Sequence, residues 1–231
     1  MPDHRYQQYC GLARALDLVG DRWTLLIVRE LMPGPRRFTD LLDGLPGVSR
    51  NLLTGRLRDL ESAGIIAREE LPPPAARLVY ELTDDGRGLA AAIVPLIAWG
   101  ARHLGDRKPS DAFRARWAAL AMATFADREA AEGVTETYQY LVGDSAFHFR
   151  IDDGSIQVLD GRAEDPAVTL TTDEETWVAI VSGEVTASSA AAAGAVQLEG
   201  DRDAAKRLGK IFSRDRLRAQ VDAVSAAAEP K

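Results

Sequence analysis

The fold of the first half of the chain is decided by residues 49–64, which read SRNLLTGRLRDLESAG. Ser49 is a favoured residue at a helix N-cap, and Gly64 is a favoured residue just beyond a helix C-terminus. Three leucines between them recur at helical spacing and form one apolar stripe: Leu53, Leu57 and Leu60. The stretch therefore predicts an amphipathic helix over 49–63 that buries its leucines in a core.

The opposite face of this helix carries side chains that suit the reading of DNA bases. With about 100° of rotation per residue, the outward positions are Asn51, Thr54, Gly55, Arg58 and Ser62. Asn can pair bidentately with adenine, and Arg with guanine. A glycine inside a helix costs about 1 kcal/mol relative to alanine, so an outward glycine indicates a partner that approaches closely. A solvated helix face is the alternative interpretation.

Several arginines near this helix are candidates for contacts to the DNA backbone. Ser49 and Arg50 lie at its positively polarised N-terminus, where Arg50 can bind a phosphate. Arg36 and Arg37 precede the helix and Arg77 follows it, so these three are expected to flank it as phosphate or minor-groove contacts. Solvated arginines are the alternative.

Helical patterns precede this helix, and two strand-like runs follow it. The pattern predicts helices over 12–19 and 21–31, the second capped by Asp21, a short helix capped by Thr39, the helix over 49–63, strands over 65–71 and 78–82, and a long helix capped by Thr83. Residues 72–76 include three prolines and are expected to project as a loop. This order is the winged helix-turn-helix arrangement, in which the second helix of the pair enters the major groove of DNA.

The second half of the chain has a different pattern. Residues 106–110 are polar and predict a linker between one domain over 1–105 and another over 111–231 that ends in a helical tail. The pattern there predicts a helix around Trp117, strands over 135–142, 146–151, 155–159 and 168–171 with Asp152-Asp153-Gly154 as a hairpin turn, helices over 173–182 and 187–193, a strand over 195–198 and a helix over 202–212. The second domain is therefore α+β, as is the chain.

The distribution of charge reconciles an acidic chain with DNA binding. The net charge is −7, yet residues 1–105 hold 13 Arg, no Lys and 13 Asp and Glu, so the acidity belongs to 106–231. No apolar stretch is long enough to cross a membrane, and the N-terminus lacks the apolar core of a signal peptide. There is no phosphate-binding loop or nucleophile elbow, and His4, His103 and His148 are scattered. We therefore expect a cytoplasmic, nucleoid-associated protein that is not an enzyme, with no membrane partner, cofactor or metal.

Several runs in the first half occur together in one known family. They are Cys10, ALDLVGDRWTLLI at 15–27, GPRRF at 34–38, LTGRLRDLE at 53–61, YELTDDG at 80–86 and Trp99-Gly100. Over about residues 8–104 the chain closely resembles the HxlR family of regulators. The resemblance implies a homodimer that pairs through its first and last helices and binds a pseudo-palindromic operator in double-stranded DNA, more often as a repressor than as an activator.

Cys10 is the only cysteine of the chain, which excludes an intrachain disulfide and a cysteine-based zinc site. It occupies a position that some HxlR-like proteins use to sense quinones, aldehydes or hypochlorite by oxidation or alkylation. The resemblance therefore makes Cys10 a candidate redox sensor. The alternative is a small, buried hydrophobic residue on an apolar helix.

The second half shows a fainter resemblance, carried by the strand pattern at 147–159, DPAVTLTTD at 165–173, Trp177, SGE at 182–184 and LEGD at 198–201. Over about residues 111–213 it is similar to the sterol carrier protein type 2 fold, which encloses an apolar tunnel. The resemblance implies an apolar small-molecule effector, with Trp117, Trp177 and Phe212 as candidate pocket residues. Plain core is the alternative for these aromatics. For the domain, the alternatives are a brace for the dimer, a lipid carrier and an enzyme.

Overall fold

The computed structural model describes residues 6–71, 77–101, 103–105, 108, 110–182 and 184–213. The chain divides into two compact units, Met1–Val94 and Pro95–Lys231. The sequence pattern places its linker further along, at 106–110, and that linker stays a prediction. The proline-rich loop predicted at 72–76 and the helical tail predicted after 213 lie outside the described residues.

The first unit has the element order of a winged helix-turn-helix. Its elements are helices α1 (Gly11–Val19), α2 (Thr24–Leu31), α3 (Phe38–Gly44) and α4 (Arg50–Ser62), strands β1 (Ile66–Leu71) and β2 (Arg77–Leu82), and helix α5 (Asp84–Ala101). Helix α5 begins in the first unit and ends in the second. Strands β1 and β2 form an antiparallel hairpin, in which Ile66 pairs with Leu82 and Leu71 with Arg77. The predicted winged helix is confirmed.

Hydroxyl caps fix where α4 and α5 begin. Ser49 Oγ accepts a hydrogen bond from the backbone N–H of Leu52 at 3.2 Å, so α4 begins where the sequence predicts. Thr83 Oγ1 accepts from the N–H of Gly86 at 3.1 Å and donates to the carbonyl oxygen of Gly64 at 2.6 Å. Gly64 has a φ of 72°, a left-handed conformation that costs glycine little. The cap of α5 is thus bonded to the turn that ends α4.

The predicted cap of α2 is wrong. The N-cap residue is Trp23 rather than Asp21, and its side chain makes no capping hydrogen bond. The Asp21 carboxylate instead pairs with Arg56 of α4 at 2.8 Å. A long-range ion pair has therefore replaced the local cap.

The predicted start of α3 is also wrong, by two residues. Its N-cap is Arg37 rather than Thr39. The carboxylate of Asp40 accepts a hydrogen bond from the backbone N–H of Arg37 at 3.2 Å and closes the first turn. An acid inside the helix thus makes the hydrogen bond that closes its first turn, where the sequence pattern expected a threonine cap.

A short backbone bridge fastens the hairpin to the helices of the first unit. Arg36 and Tyr80 exchange two backbone hydrogen bonds, of 2.9 and 2.7 Å. The helices and both strands contribute side chains to the core of the first unit. Its buried side chains include Val19, Ile27, Leu41, Leu53, Leu57, Leu60, Ile66, Val79 and Ile93.

Within the described residues, the second unit is built on a five-stranded mixed sheet. Its elements are α6 (Ala115–Phe125), β3 (Thr135–Val142), β4 (Ser145–Asp152), β5 (Ser155–Asp160), β6 (Val168–Thr172), α7 (Glu174–Ser182), α8 (Ala187–Ala192), β7 (Val196–Gly200) and α9 (Arg202–Ile211). The strand order is β5-β4-β3-β6-β7. Strands β3 and β6 are parallel, and the other neighbours are antiparallel. The predicted α+β class is confirmed.

The turn between β4 and β5 is the one that its residues predict. Asp152 pairs with Ser155, and Asp153 and Gly154 between them have φ values of 44° and 79°. Two positive φ angles define the two-residue turn that suits the twist of a hairpin.

Across the described helices, none has the length and apolar character needed to span a membrane.

Two glycines in α5 provide a matched test of how this helix packs on the end of α4 and β1. A methyl group on Gly86 would lie 2.0 Å from the carbonyl oxygen of Ile65, whereas one on Gly88 would meet nothing within 4 Å. We expect Gly86→Ala to lower the free energy of unfolding of the first unit by about 2 kcal/mol or more, through overpacking. Gly88→Ala should raise it by about 0.5–1 kcal/mol, because alanine is the better helix former. Urea unfolding followed by circular dichroism measures both, and equal effects would contradict the packing.

Candidate nucleic-acid interface

Helix α4 is anchored by one face and exposed on the other. The buried face consists of its three stripe leucines, at most 2% exposed: Leu53, Leu57 and Leu60. The opposite face carries the predicted polar side chains, all exposed: Asn51, Thr54, Arg58 and Ser62. Nothing lies within 4 Å of the position that a Cβ on Gly55 would occupy. A partner can therefore approach the helix closely at its middle turn.

The polar groups at the N-terminal end of α4 differ in the hydrogen bonds that they already make. Ser49 Oγ is used by the helix cap, and Thr54 Oγ1 donates to the carbonyl oxygen of Arg50 at 2.9 Å. Each hydroxyl oxygen keeps a lone pair that can accept a further hydrogen bond. The Arg50 side chain is exposed beside the helix N-terminus. These positions are compatible with DNA contacts, and the contacts themselves stay a prediction.

Arg56 holds α4 in place from its side, a role that the sequence pattern did not indicate. Its Nη1 lies 2.8 Å from Asp21 Oδ2 and 3.2 Å from Asp59 Oδ2. The Arg56 side chain is 21% exposed, whereas the Asp21 side chain is 65% exposed, so solvent still screens this ion pair on the carboxylate side. Arg56 therefore ties the middle of α4 to the segment that precedes α2.

The three flanking arginines lie in different environments. Arg36 is only 8% exposed, and its Nε donates to the carbonyl oxygen of Glu30 at 3.4 Å. Its side chain is therefore buried in the first unit, and its backbone forms the bridge to Tyr80. Arg77 is exposed at the first residue of β2.

Arg37 is exposed but already has a partner. Its Nη2 lies 2.5 Å from Asp40 Oδ1, and its Nε donates to Asp40 Oδ2 at 2.8 Å. The guanidinium holds the pKa of the Asp40 carboxyl below its ordinary value, chiefly through this hydrogen bonding. A phosphate that binds Arg37 has to compete with this carboxylate. Arg37 is therefore a weaker candidate than Arg77 for a backbone contact.

Cys10 is exposed, which contradicts the buried alternative considered for it. It is the N-cap residue of α1, in an extended backbone conformation. The backbone amides of Ala13 and Leu12, in the first turn of the helix, favour the thiolate and lower the pKa of Cys10. An accessible thiol with a lowered pKa has the properties that reactive cysteines require.

Two of the three predicted pocket residues belong to one aromatic cluster of the second unit. Trp177 packs against Tyr140 and Phe147, at ring-centroid distances of 5.4 and 5.9 Å. Phe212 packs against Phe149 at 4.5 Å. The cluster is continuous, because Phe147 and Phe149 both contact Tyr140. Trp177 and Phe212 therefore lie in an aromatic core of the second unit.

The remaining pocket candidate, Trp117, is half-buried on α6.

Trp177 is only 1% exposed, and within the described part of the chain its Nε1 has no hydrogen-bond partner. Burial also raises the pKa of the Tyr140 hydroxyl well above its ordinary value, so that hydroxyl stays neutral. A buried indole N–H is normally hydrogen-bonded, so the lack of a described partner for Nε1 is an unusual feature of Trp177.

Comparison with known proteins places these features in a family. The model of the HxlR-like helix-turn-helix family matches residues 18–108, and that of the SCP-2 sterol transfer family matches residues 118–213. YodB of Bacillus subtilis (strain 168), an HTH-type transcriptional regulator, is 38% identical over 85 residues, which are 37% of this chain and 76% of YodB. The chain belongs to the HxlR-like helix-turn-helix family. Both resemblances found in the sequence are confirmed.

Other relatives match the same half of the chain. An uncharacterized HTH-type transcriptional regulator of Mycobacterium tuberculosis (strain ATCC 25618 / H37Rv) is 46% identical over 101 residues, which are 44% of this chain and 63% of that protein. The chain thus covers less than two thirds of the length of this relative. The solved structure of the reduced form of YodB is 32% identical, covers 44% of this chain and 100% of its own, and gives a TM-score of 0.38.

Proposed function

We propose that this protein is a transcriptional regulator that binds double-stranded DNA, as a repressor, and reads a pseudo-palindromic operator through α4. The observation that carries the proposal is the exposed face with Asn51 and Arg58 on a helix whose other face is fully buried. A helix held in this way can present the same donors to base edges in the major groove at each encounter. Membership of the HxlR-like family supports it. The function needs no catalytic residue, and its site of action is the nucleoid.

A homodimer is part of this proposal, because a pseudo-palindromic site requires two reading helices. The first helix supports it. Leu12 and Leu16 of α1 are 69% and 40% exposed, and Tyr9 before it is fully exposed. Apolar side chains grouped on one exposed face indicate a surface that another chain covers.

Arg58→Ala tests whether α4 reads DNA. We expect the variant to bind the selected operator about 1–3 kcal/mol more weakly, with a much smaller effect on unrelated DNA, because Arg58 is proposed to bind a base. Arg77→Ala should instead weaken binding to both duplexes and reduce the slope of log affinity against log salt by about 1 for each phosphate that Arg77 binds. Fluorescence anisotropy with labelled duplexes measures both effects. Arg150→Ala, an exposed position on β4, is the charge-matched control. An operator affinity that Arg58→Ala leaves unchanged would refute the assignment.

We further propose that the second unit binds an apolar small molecule that modulates DNA binding. The observation in favour is that Nε1 of Trp177, in an aromatic interior, finds no hydrogen-bond partner among the residues that the structure describes. A buried donor without a partner costs about 1–3 kcal/mol, which a ligand acceptor would recover. Such a ligand changes DNA binding only if it favours one placement of the two reading helices over another.

Tryptophan fluorescence tests this second proposal, with oleate as a lipid probe and 8-anilinonaphthalene-1-sulfonate as an aromatic probe. We expect a saturable change with at least one probe, a much smaller change in Trp177→Phe, and a shift in operator affinity at saturation. Trp23→Phe controls for the tryptophan of the first unit. Absence of saturable binding with either probe would reduce the second unit to a brace for the dimer.

Cys10 supports a second candidate function, regulation by thiol oxidation or alkylation. The exposed thiol with its lowered pKa is the observation in favour. We expect hydrogen peroxide, which oxidises a single thiol to a sulfenic acid, or benzoquinone, which alkylates it, to release wild-type protein from its operator and to leave Cys10→Ser bound. Because more thiolate is present at higher pH, inactivation should quicken with pH until the lowered pKa has been passed. Equal release of wild type and variant would make Cys10 a structural residue.

A further inference from the structure

The segment that precedes α2 is fixed to the helix-turn-helix pair at two points. On one side, Asp21 pairs with Arg56 of α4 at 2.8 Å. On the other side, Trp23 Cη2 lies 3.7 Å from the position that a Cβ on Gly47 would occupy. Gly47 lies in the turn just before the cap of α4. Arg22 stands between Asp21 and Trp23 in the chain, so its backbone lies between one contact to the middle of α4 and one to the turn before it.

The backbone conformation of Trp23 directs its indole toward the turn that contains Gly47. Trp23 has a φ of 80°, a left-handed conformation that costs a residue with a Cβ about 1–2 kcal/mol. Gly47 has a φ of 91° and offers only a hydrogen where the ring packs. A Cβ at position 47 would make ordinary van der Waals contact with the ring, so the left-handed backbone, and not a lack of space, favours glycine there.

The Arg22 side chain is exposed and lies on this indole. Its Cζ is 5.2 Å from the centroid of the Trp23 ring. Stacking on an aromatic face uses one face of the guanidinium and leaves its N–H edges able to donate, and it reduces the entropy lost when they bind. Asp21, the neighbouring acid, is already engaged by Arg56. Across the described residues, no carboxylate pairs with Arg22.

We infer that Arg22 is a further DNA-contacting residue, which binds a backbone phosphate next to the bases that α4 reads. Planar N–H edges held in one orientation match a phosphate bidentately, and phosphate contacts from outside the reading helix set its register on the duplex. The inference rests on the proposed function, because it assumes that α4 lies in the major groove. It differs from the Arg58 assignment in kind, since Arg22 positions the protein and does not specify sequence.

The test compares Arg22→Gln, Arg22→Lys and Arg150→Gln in the full-length chain. The probes are a duplex selected by the wild-type protein from a random pool and an unrelated duplex of equal length. For Arg22→Gln we expect about tenfold weaker binding to both duplexes, and a salt slope smaller by about 2 because each subunit of a dimer binds one phosphate fewer. Arg22→Lys should retain most of the slope because it keeps the charge, and Arg150→Gln should match wild type.

Each outcome separates the inference from the proposal beneath it. A wild-type protein that binds neither duplex overturns both. Wild-type binding with an unchanged slope and affinity in Arg22→Gln overturns only the phosphate contact. A weakening confined to the selected duplex also overturns it, because that result marks a base contact. Thermal unfolding of Arg22→Gln serves as the folding control, and an unchanged melting temperature is expected for an exposed side chain.

Discussion

The burial of the α4 leucine stripe is the constraint on which the first unit depends. Replacing one such leucine by alanine typically costs about 2–5 kcal/mol, a large share of the stability of a domain. With Leu53, Leu57 and Leu60 inside, the helix cannot rotate about its axis without exposing them. Asn51 and Arg58 are therefore held outward by the same packing that stabilises the fold. The stability of the unit and the outward placement of these polar side chains are thus two consequences of one amphipathic pattern.

The arginines of the first unit differ in their burial and in the groups that they contact. Arg36 is buried beneath a backbone bridge, Arg56 clamps α4 from its side, and Arg37 is engaged by Asp40. Only a subset is left exposed at places suited to a phosphate. A balance of equal positive and negative charge in residues 1–105 therefore still permits a basic interface, since several acids pair with arginines that hold the structure together.

The interior of the second unit is rich in aromatic side chains. Its sheet and helices agree with the sterol carrier protein fold, yet its interior holds a continuous cluster of tyrosine, phenylalanine and tryptophan rings. The buried amide of Gln139 in the same unit is hydrogen-bonded at both its oxygen and its nitrogen. It accepts from the N–H of Ala163 at 2.7 Å and donates to the carbonyl oxygen of Phe147 at 2.8 Å. Among the described residues, the buried indole N–H of Trp177 therefore differs from the buried amide of Gln139 in having no hydrogen-bond partner.

The sequence by itself determined the elements and the outward face of α4. Helical periodicity, the Ser49 and Thr83 caps, Gly64 and the Asp153-Gly154 turn all act within a few residues, so they can be read without knowledge of the fold. Only the tertiary structure decided which arginines are exposed, that Asp21 pairs with Arg56 instead of capping α2, and that β3 and β6 are parallel neighbours at the centre of a sheet. Each of these depends on residues far apart in the chain, and no local pattern records a distance between them.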